Sequence, residues 1–181
     1  MIFVWTTSSN PGSALIRWGR GTDCSHFAVV FNKLVCGVDQ GCWLVGESRF
    51  SEGVDLDWWH QFKQRNRVVH ALEYLPIEKS MDEREAYCAF GKKMMGRQYD
   101  KKAVLWLAFD SLLRKLRIRN PYSENKWGDN QDVYCQEVIE AFRDTFRRDG
   151  LKLTYSDVEM LDPHMAYEML VKEPQWRKID L

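Results

Sequence analysis

The sequence carries no net charge, because Lys+Arg and Asp+Glu both number 26. That balance removes the electrostatic footprint that binding to a phosphate backbone requires, so no nucleic-acid partner is expected. Long apolar runs are also missing. None approaches the ~18 residues a bilayer-crossing helix needs, so no transmembrane segment is expected. The apolar start, Met1 to Trp5, has no basic region and is too short for a signal peptide. A chain that is cytoplasmic as synthesised is the expectation. Cysteine is scarce and odd in number, five residues without a regular framework, which argues against a disulfide scaffold and fits reduced thiols. Internal repeats and low-complexity tracts are lacking too.

What is there describes a folded domain. A chain of 181 residues, 45% hydrophobic and 13% aromatic, is long enough to bury a core and is read as one domain over 1–181. The order along the chain predicts sheet first and helices second. Met1 to Thr6, His26 to Phe31, Leu34 to Val38, Cys42 to Glu47 and Arg67 to Tyr74 read as strands. Ser13 to Trp18 is a strand or a short helix, and Val54 to Phe62 a connection or a short helix. Met81 to Met95, with Ser80 as its cap, Ala103 to Leu116, the stretch from Cys135 to near Gly150, and Pro163 to Val171 read as helices. Arg119 to Asp132 is a polar loop. The expected class is α+β, an antiparallel sheet packed against helices.

Chemistry centres on Cys135. Val138, Ile139, Ala141, Phe142 and Phe146 make one apolar helical face, with Asp129, Asn130 and Asp132 just ahead as capping residues. Cys135 therefore falls at or near a helix N-terminus, where unpaired N–H groups and the macrodipole favour a thiolate. The same N–H groups suit the oxyanion of acyl transfer. Of four histidines, His26 stands at the start of a strand, held by the sheet yet able to reach a cleft, as a general base must be. Glu47 closes the neighbouring strand, where a carboxylate fixes an imidazole's tautomer.

Three phrases resemble a known family. Thr22-Asp23-Cys24-Ser25-His26-Phe27-Ala28-Val29-Val30 is similar to its histidine strand, and Val45-Gly46-Glu47-Ser48 through Gly53-Val54 to its acidic strand. Gly96-Arg97-Gln98-Tyr99-Asp100, followed by a helix and then Tyr134-Cys135-Gln136-Glu137-Val138-Ile139, resembles its Tyr-Asp turn and nucleophile helix. The order His, acid, Cys is that of the circularly permuted NlpC-like cysteine peptidases, the branch with YiiX-like and lecithin–retinol acyltransferase-like enzymes. Gln136 departs from the serine expected after the nucleophile.

The resemblance implies a papain-like fold of the permuted NlpC type, with a cleft between the sheet and the Cys135 helix. It implies Cys135 as nucleophile, His26 as base, Glu47 as orienting acid, and Tyr99 and Tyr134 at the substrate. The reaction implied is hydrolysis of an amide through a thioester acyl-enzyme, without cofactor or metal. The substrate is then a peptide or isopeptide, peptidoglycan fragments included, which a chain without a signal peptide would reach through a holin or a phage particle. An acyl-lipid hydrolase or acyltransferase is the alternative, and a catalytically silent binding module of the same fold a third. Three further alternatives stay open: Cys24 as a rival nucleophile, a zinc set of Cys24, His26, Cys36 and Cys42, and the helix Ala103 to Leu116 resting on a membrane surface.

Overall fold

Apolar and β-branched residues run without interruption from Ile2 to Thr7, and this run becomes β1, buried at all six positions. A strand buried on both faces belongs inside a sheet, and that is where β1 sits. The computed structural model describes residues 1–9, 11–34, 42–77, 80–118, 135–150 and 163–181, with the backbone alone at 135–137. Among these residues the order is β1 (Ile2–Thr7), α1 (Pro11–Arg20), β2 (His26–Phe31), β3 (Leu44–Arg49), β4 (Gly53–Trp58), α2 (Trp59–Arg65) and β5 (Arg67–Tyr74). Then follow α3 (Ser80–Met94), α4 (Lys101–Lys115), a 3-10 helix (Cys135–Phe142), α5 (Arg143–Arg148), α6 (Pro163–Leu170) and β6 (Trp176–Lys178). The strands form one six-stranded sheet in the order β4-β3-β2-β1-β5-β6, antiparallel at every pairing. The class is α+β.

Strand alternation divides the core in two. Phe3, Trp5, Phe27, Val29 and Phe31 face the side covered by α3, the 3-10 helix, α5 and α6, where they meet Phe90, Ile139, Phe142, Phe146 and Tyr167. Ile2, Val4, Ala28, Val30 and Val45 face the other side, under Trp43 and the α2 residues Trp59 and Phe62. Phe3 is the hub of the first layer. Its ring lies edge-on to Phe27 at 4.9 Å and within 6 Å of Phe142, Phe146 and Trp176. Such offset and edge contacts stabilise beyond the area they bury. A buried ion pair, Arg20–Asp110 at 3.2 Å, ties α1 to α4. The Tyr74 hydroxyl donates to Asp149 Oδ2 at 2.6 Å and ties the end of α5 to β5.

Several expectations change here. Ser13 to Trp18 lies within a helix, α1. Val54 to Phe62 divides into the edge strand β4 and the helix α2, because Val54, Leu56 and Asp55, Asp57 alternate at period two before Trp59 and Phe62 take up helical spacing. The stretch from Cys135 is a 3-10 helix that passes into a short α-helix. At three residues per turn, Val138 with Ala141 and Ile139 with Phe142 form two adjacent rows against the core. Ser80 is the first residue of α3, a shift of one position from the expected cap. Val35 to Val38 and the loop Arg119 to Asp132 lie outside the described residues.

Two glycines are fixed by close approach. A Cβ on Gly46 would stand 2.6 Å from the Phe90 ring. One on Gly53, at φ +79°, would stand 2.3 Å from the Arg97 carbonyl oxygen, which accepts a 2.8 Å bond from Val54 N–H. Gly21, at φ +69°, has open space around it. Both Gly→Ala changes carry the cost of a left-handed conformation, roughly 1–2 kcal/mol, and only Gly53→Ala adds a backbone collision. Urea melts should show Gly53→Ala less stable than Gly21→Ala by about 1–3 kcal/mol. Equal losses would mean that β4 does not sit against the turn after α3.

Candidate functional site

His26 and Glu47 meet because of the sheet register. β2 pairs with β3 so that Ala28 stands opposite Glu47, and His26 lies on the same face two residues earlier. His26 Nε2 and Glu47 Oε2 are 2.8 Å apart. That contact occupies Nε2, so proton exchange with a third group falls to Nδ1. His26 opens its strand and keeps an exposed edge at the end of the sheet, with 18% of its side chain accessible. Its face is the one α2 covers: Phe27, Val29 and Phe31 turn the other way, toward the 3-10 helix.

Glu47 is 2% exposed and would be expensive to bury alone. Its second oxygen, Oε1, accepts a 2.8 Å bond from Arg65 Nη2 at the end of α2. The same guanidinium contacts Asp57 of β4, and Arg49 Nε lies 3.9 Å from Glu47. Burial pushes the Glu47 carboxyl up, but the hydrogen bond and charge of His26, with Arg65, reverse this and hold it below the usual carboxylate value. Burial lowers Arg65 as well, and Asp57 and Glu47 outweigh that to raise it. An imidazole braced by a carboxylate held below its usual pKa is equipped to take up a proton and hold the resulting charge. Beside Arg65 opens a cleft of about 430 Å³ lined in part by Thr7, Arg17, Lys63, Arg65 and Arg67, with no carboxylate among the described residues of its wall. Such a wall suits an anionic group.

Cys135 is the first residue of the 3-10 helix, and that helix packs on β2 and β3. The Cys135 side chain and all of Tyr134 lie outside what is described. Tyr99 is half-buried and packs on Phe50, with ring centroids 5.5 Å apart, just beyond the β3 end nearest His26. Cys24 precedes β2 instead of sharing a strand face with His26, and it is fully buried in the core layer opposite the His26–Glu47 pair. The expectation that all five cysteines are reduced is corrected at Cys42, which is disulfide-bonded. A sulfur in a disulfide is no thiolate ligand, and Cys24 and His26 part company, so the quartet Cys24, His26, Cys36 and Cys42 is not a zinc site.

Arg65 and Asp57 were not reachable from the sequence, since neither has a local signal for a role thirty or more residues upstream of it in the fold's wiring. The alternation through Val54 to Asp57 was the only clue, placing Asp55 and Asp57 on one face of a strand. His70 is stacked flat on Tyr167 with ring centroids 4.1 Å apart and contacts Asp23.

The depressed Glu47 carboxyl has a pH consequence with a definite sign. Its pKa is lower folded than unfolded, so the unfolded chain binds more protons in that interval. Its contribution is present above the unfolded carboxylate value and is lost as pH falls through the folded one. Chemical melts from pH 6 down to 3 should show the advantage of wild type over Glu47→Gln, on the order of 2 kcal/mol at pH 6, shrinking with acidity. A difference independent of pH would show that Glu47 is not ionised in the fold.

No family model matches the chain, and no curated protein matches it.

Proposed function

We propose that the protein is a cysteine hydrolase of the permuted papain-like class, with Cys135 as nucleophile, His26 as general base and Glu47 as orienting acid. The observation that carries it is the 2.8 Å contact between His26 and a buried, ionised Glu47. A carboxylate braced by Arg65 is an unusual thing to bury unless the imidazole it holds has work to do. The helix that starts at Cys135 supplies the second support. Its far end is fixed by Phe142, 6.3 Å from Phe31 at the last residue of β2. Eight residues at ~2 Å each span about the same distance as the six residues of β2 at roughly 3.3 Å. His26 points to the α2 face and the Cys135 helix packs on the other, so this reading requires the thiol to reach the ring around the open end of β2, where the imidazole edge is accessible.

Nδ1 of His26 takes the Cys135 proton, the thiolate attacks the carbonyl carbon, and the tetrahedral oxyanion is met by N–H groups of the helix start. Collapse expels the amine, which receives the proton from His26, and leaves a thioester. Water, deprotonated by His26, then releases the acid. The substrate class is a peptide or isopeptide amide, with peptidoglycan stem peptides as first choice. Their free carboxylates match the cationic cleft beside Arg65.

A second reading has its own observation. On α4 and just past its end, Leu105, Leu112 and Leu116 form a stripe that is 63%, 43% and 60% exposed, flanked by Lys101, Lys102 and Lys115. A basic, apolar helix face suits a lipid surface, and with it an acyl-lipid substrate.

Adduct trapping separates these outcomes. The full chain is incubated with muropeptides or with phospholipid vesicles, quenched in acid and mapped by mass spectrometry. A muropeptide acyl group on Cys135 supports amide hydrolysis, and a fatty acyl group there favours the lipid reading. Iodoacetamide should alkylate Cys135 with a midpoint well below pH 8. His26→Ala should slow adduct formation about 10²–10⁴-fold. Cys135 found in a disulfide, an ordinary thiol titration, or an acyl group trapped on Cys24 would each overturn the assignment.

A further inference from the structure

We infer that Asp23, Cys24 and His164 form a binding site for a divalent transition-metal ion of the zinc type, between the loop before β2 and helix α6. One carboxylate oxygen, the Cys24 Sγ and one ring nitrogen lie within 4.8 Å of one another. The ligands come from two parts of the chain about 140 residues apart, so chain proximity does not explain their meeting.

Two observations distinguish this cluster from a chance group of polar side chains. His164 Nδ1 is buried and has no hydrogen-bond partner. It stands 3.9 Å from Asp23 Oδ1, too far for a hydrogen bond. Two ligands on one tetrahedral ion, each about 2.0–2.3 Å from the metal, stand roughly 3.3–3.8 Å apart. An ion between the carboxylate and the imidazole would therefore satisfy the orphaned nitrogen with little movement. The second observation is His70. Its Nε2 lies 3.1 Å from Asp23 Oδ2 and 3.2 Å from Oδ1, and its ring is stacked on Tyr167 of α6, the helix that carries His164. A histidine hydrogen-bonded to a ligating carboxylate is how metal sites orient their ligands.

The donor set decides the ion. One thiolate, one imidazole and one carboxylate match zinc and its neighbours, not magnesium or calcium, which take oxygen ligands. Binding replaces the Cys24 proton, which leaves to solvent: a thiol and M²⁺ give a metal thiolate and H⁺. Cys24 is fully buried while Asp23 is 53% exposed, so the ion enters from the Asp23 side and a water completes four-coordination there. Bound metal would clamp α6 to the start of β2, and it does not depend on the Cys135 chemistry.

Cobalt(II) is the probe. The full chain, stripped with chelator, is titrated with Co²⁺ and followed by absorption. One equivalent should give a thiolate-to-cobalt charge-transfer band in the near ultraviolet and tetrahedral d–d bands in the visible. Cys24→Ser should lose the charge-transfer band and His164→Ala the tight binding, while His70→Ala weakens affinity about 10–100-fold. Zinc should raise the melting temperature of wild type and leave that of His164→Ala, a half-exposed position, unchanged. The site is refuted if wild type shows no charge-transfer band, or if the band persists in Cys24→Ser.

Discussion

The sheet depends on one strand being buried on both sides. β1 has no polar face to offer solvent, so it needs a neighbour on each edge and a layer of side chains over each surface. β2 and β5 supply the edges. α3, the 3-10 helix, α5 and α6 supply one cover, and α2 with Trp43 the other. Everything placed at the ends of these strands inherits its position from that arrangement. His26 is opposite Thr6, and Glu47 is opposite Ala28, because the pairing of β1, β2 and β3 admits no other register without turning Phe27 and Phe31 out of the core.

Charge burial follows a second rule. Glu47 sits in an apolar layer only because its two oxygens have separate cationic or protonatable partners, His26 on one and Arg65 on the other. Arg65 in turn is shared with Asp57. A chain with no net charge thus concentrates opposite charges in a few networks instead of spreading them evenly. Among the described residues the cleft next to this network carries cations and no acid in its wall, while Asp23 on the opposite side of the start of β2 gathers two histidines and a cysteine. Two chemically different clusters are separated by the thickness of the sheet.

Legibility was uneven for physical reasons. β2, β5, α3 and α4 were plain because their periodicity and turn residues agree with their final environment. β4 was obscured by Trp58 and Trp59, which continue the apolar run across a strand-to-helix junction and hide where the period changes. β6 is three residues long and exists through its pairing with β5, so no local pattern marks it. The Cys135 stretch showed the right buried residues, Val138, Ile139, Ala141 and Phe142, but a 3-10 and an α-helix bury the same set at that spacing. Cys42 shows the limit most simply: spacing says nothing about which sulfur becomes half of a disulfide.

The sequence by itself determined the alternation of strands and helices, the absence of any crossing-length apolar run, and the residue types able to carry thiol and acid–base chemistry. These are local properties, set by side-chain size, backbone preference and charge over a few residues. Only the tertiary structure decided that His26 turns away from Cys24, that Arg65 and Asp57 join His26 and Glu47, and that His164 comes back to Asp23. Those outcomes depend on which face of the sheet each strand presents and which helix covers it, and contacts between distant segments leave no trace in local pattern.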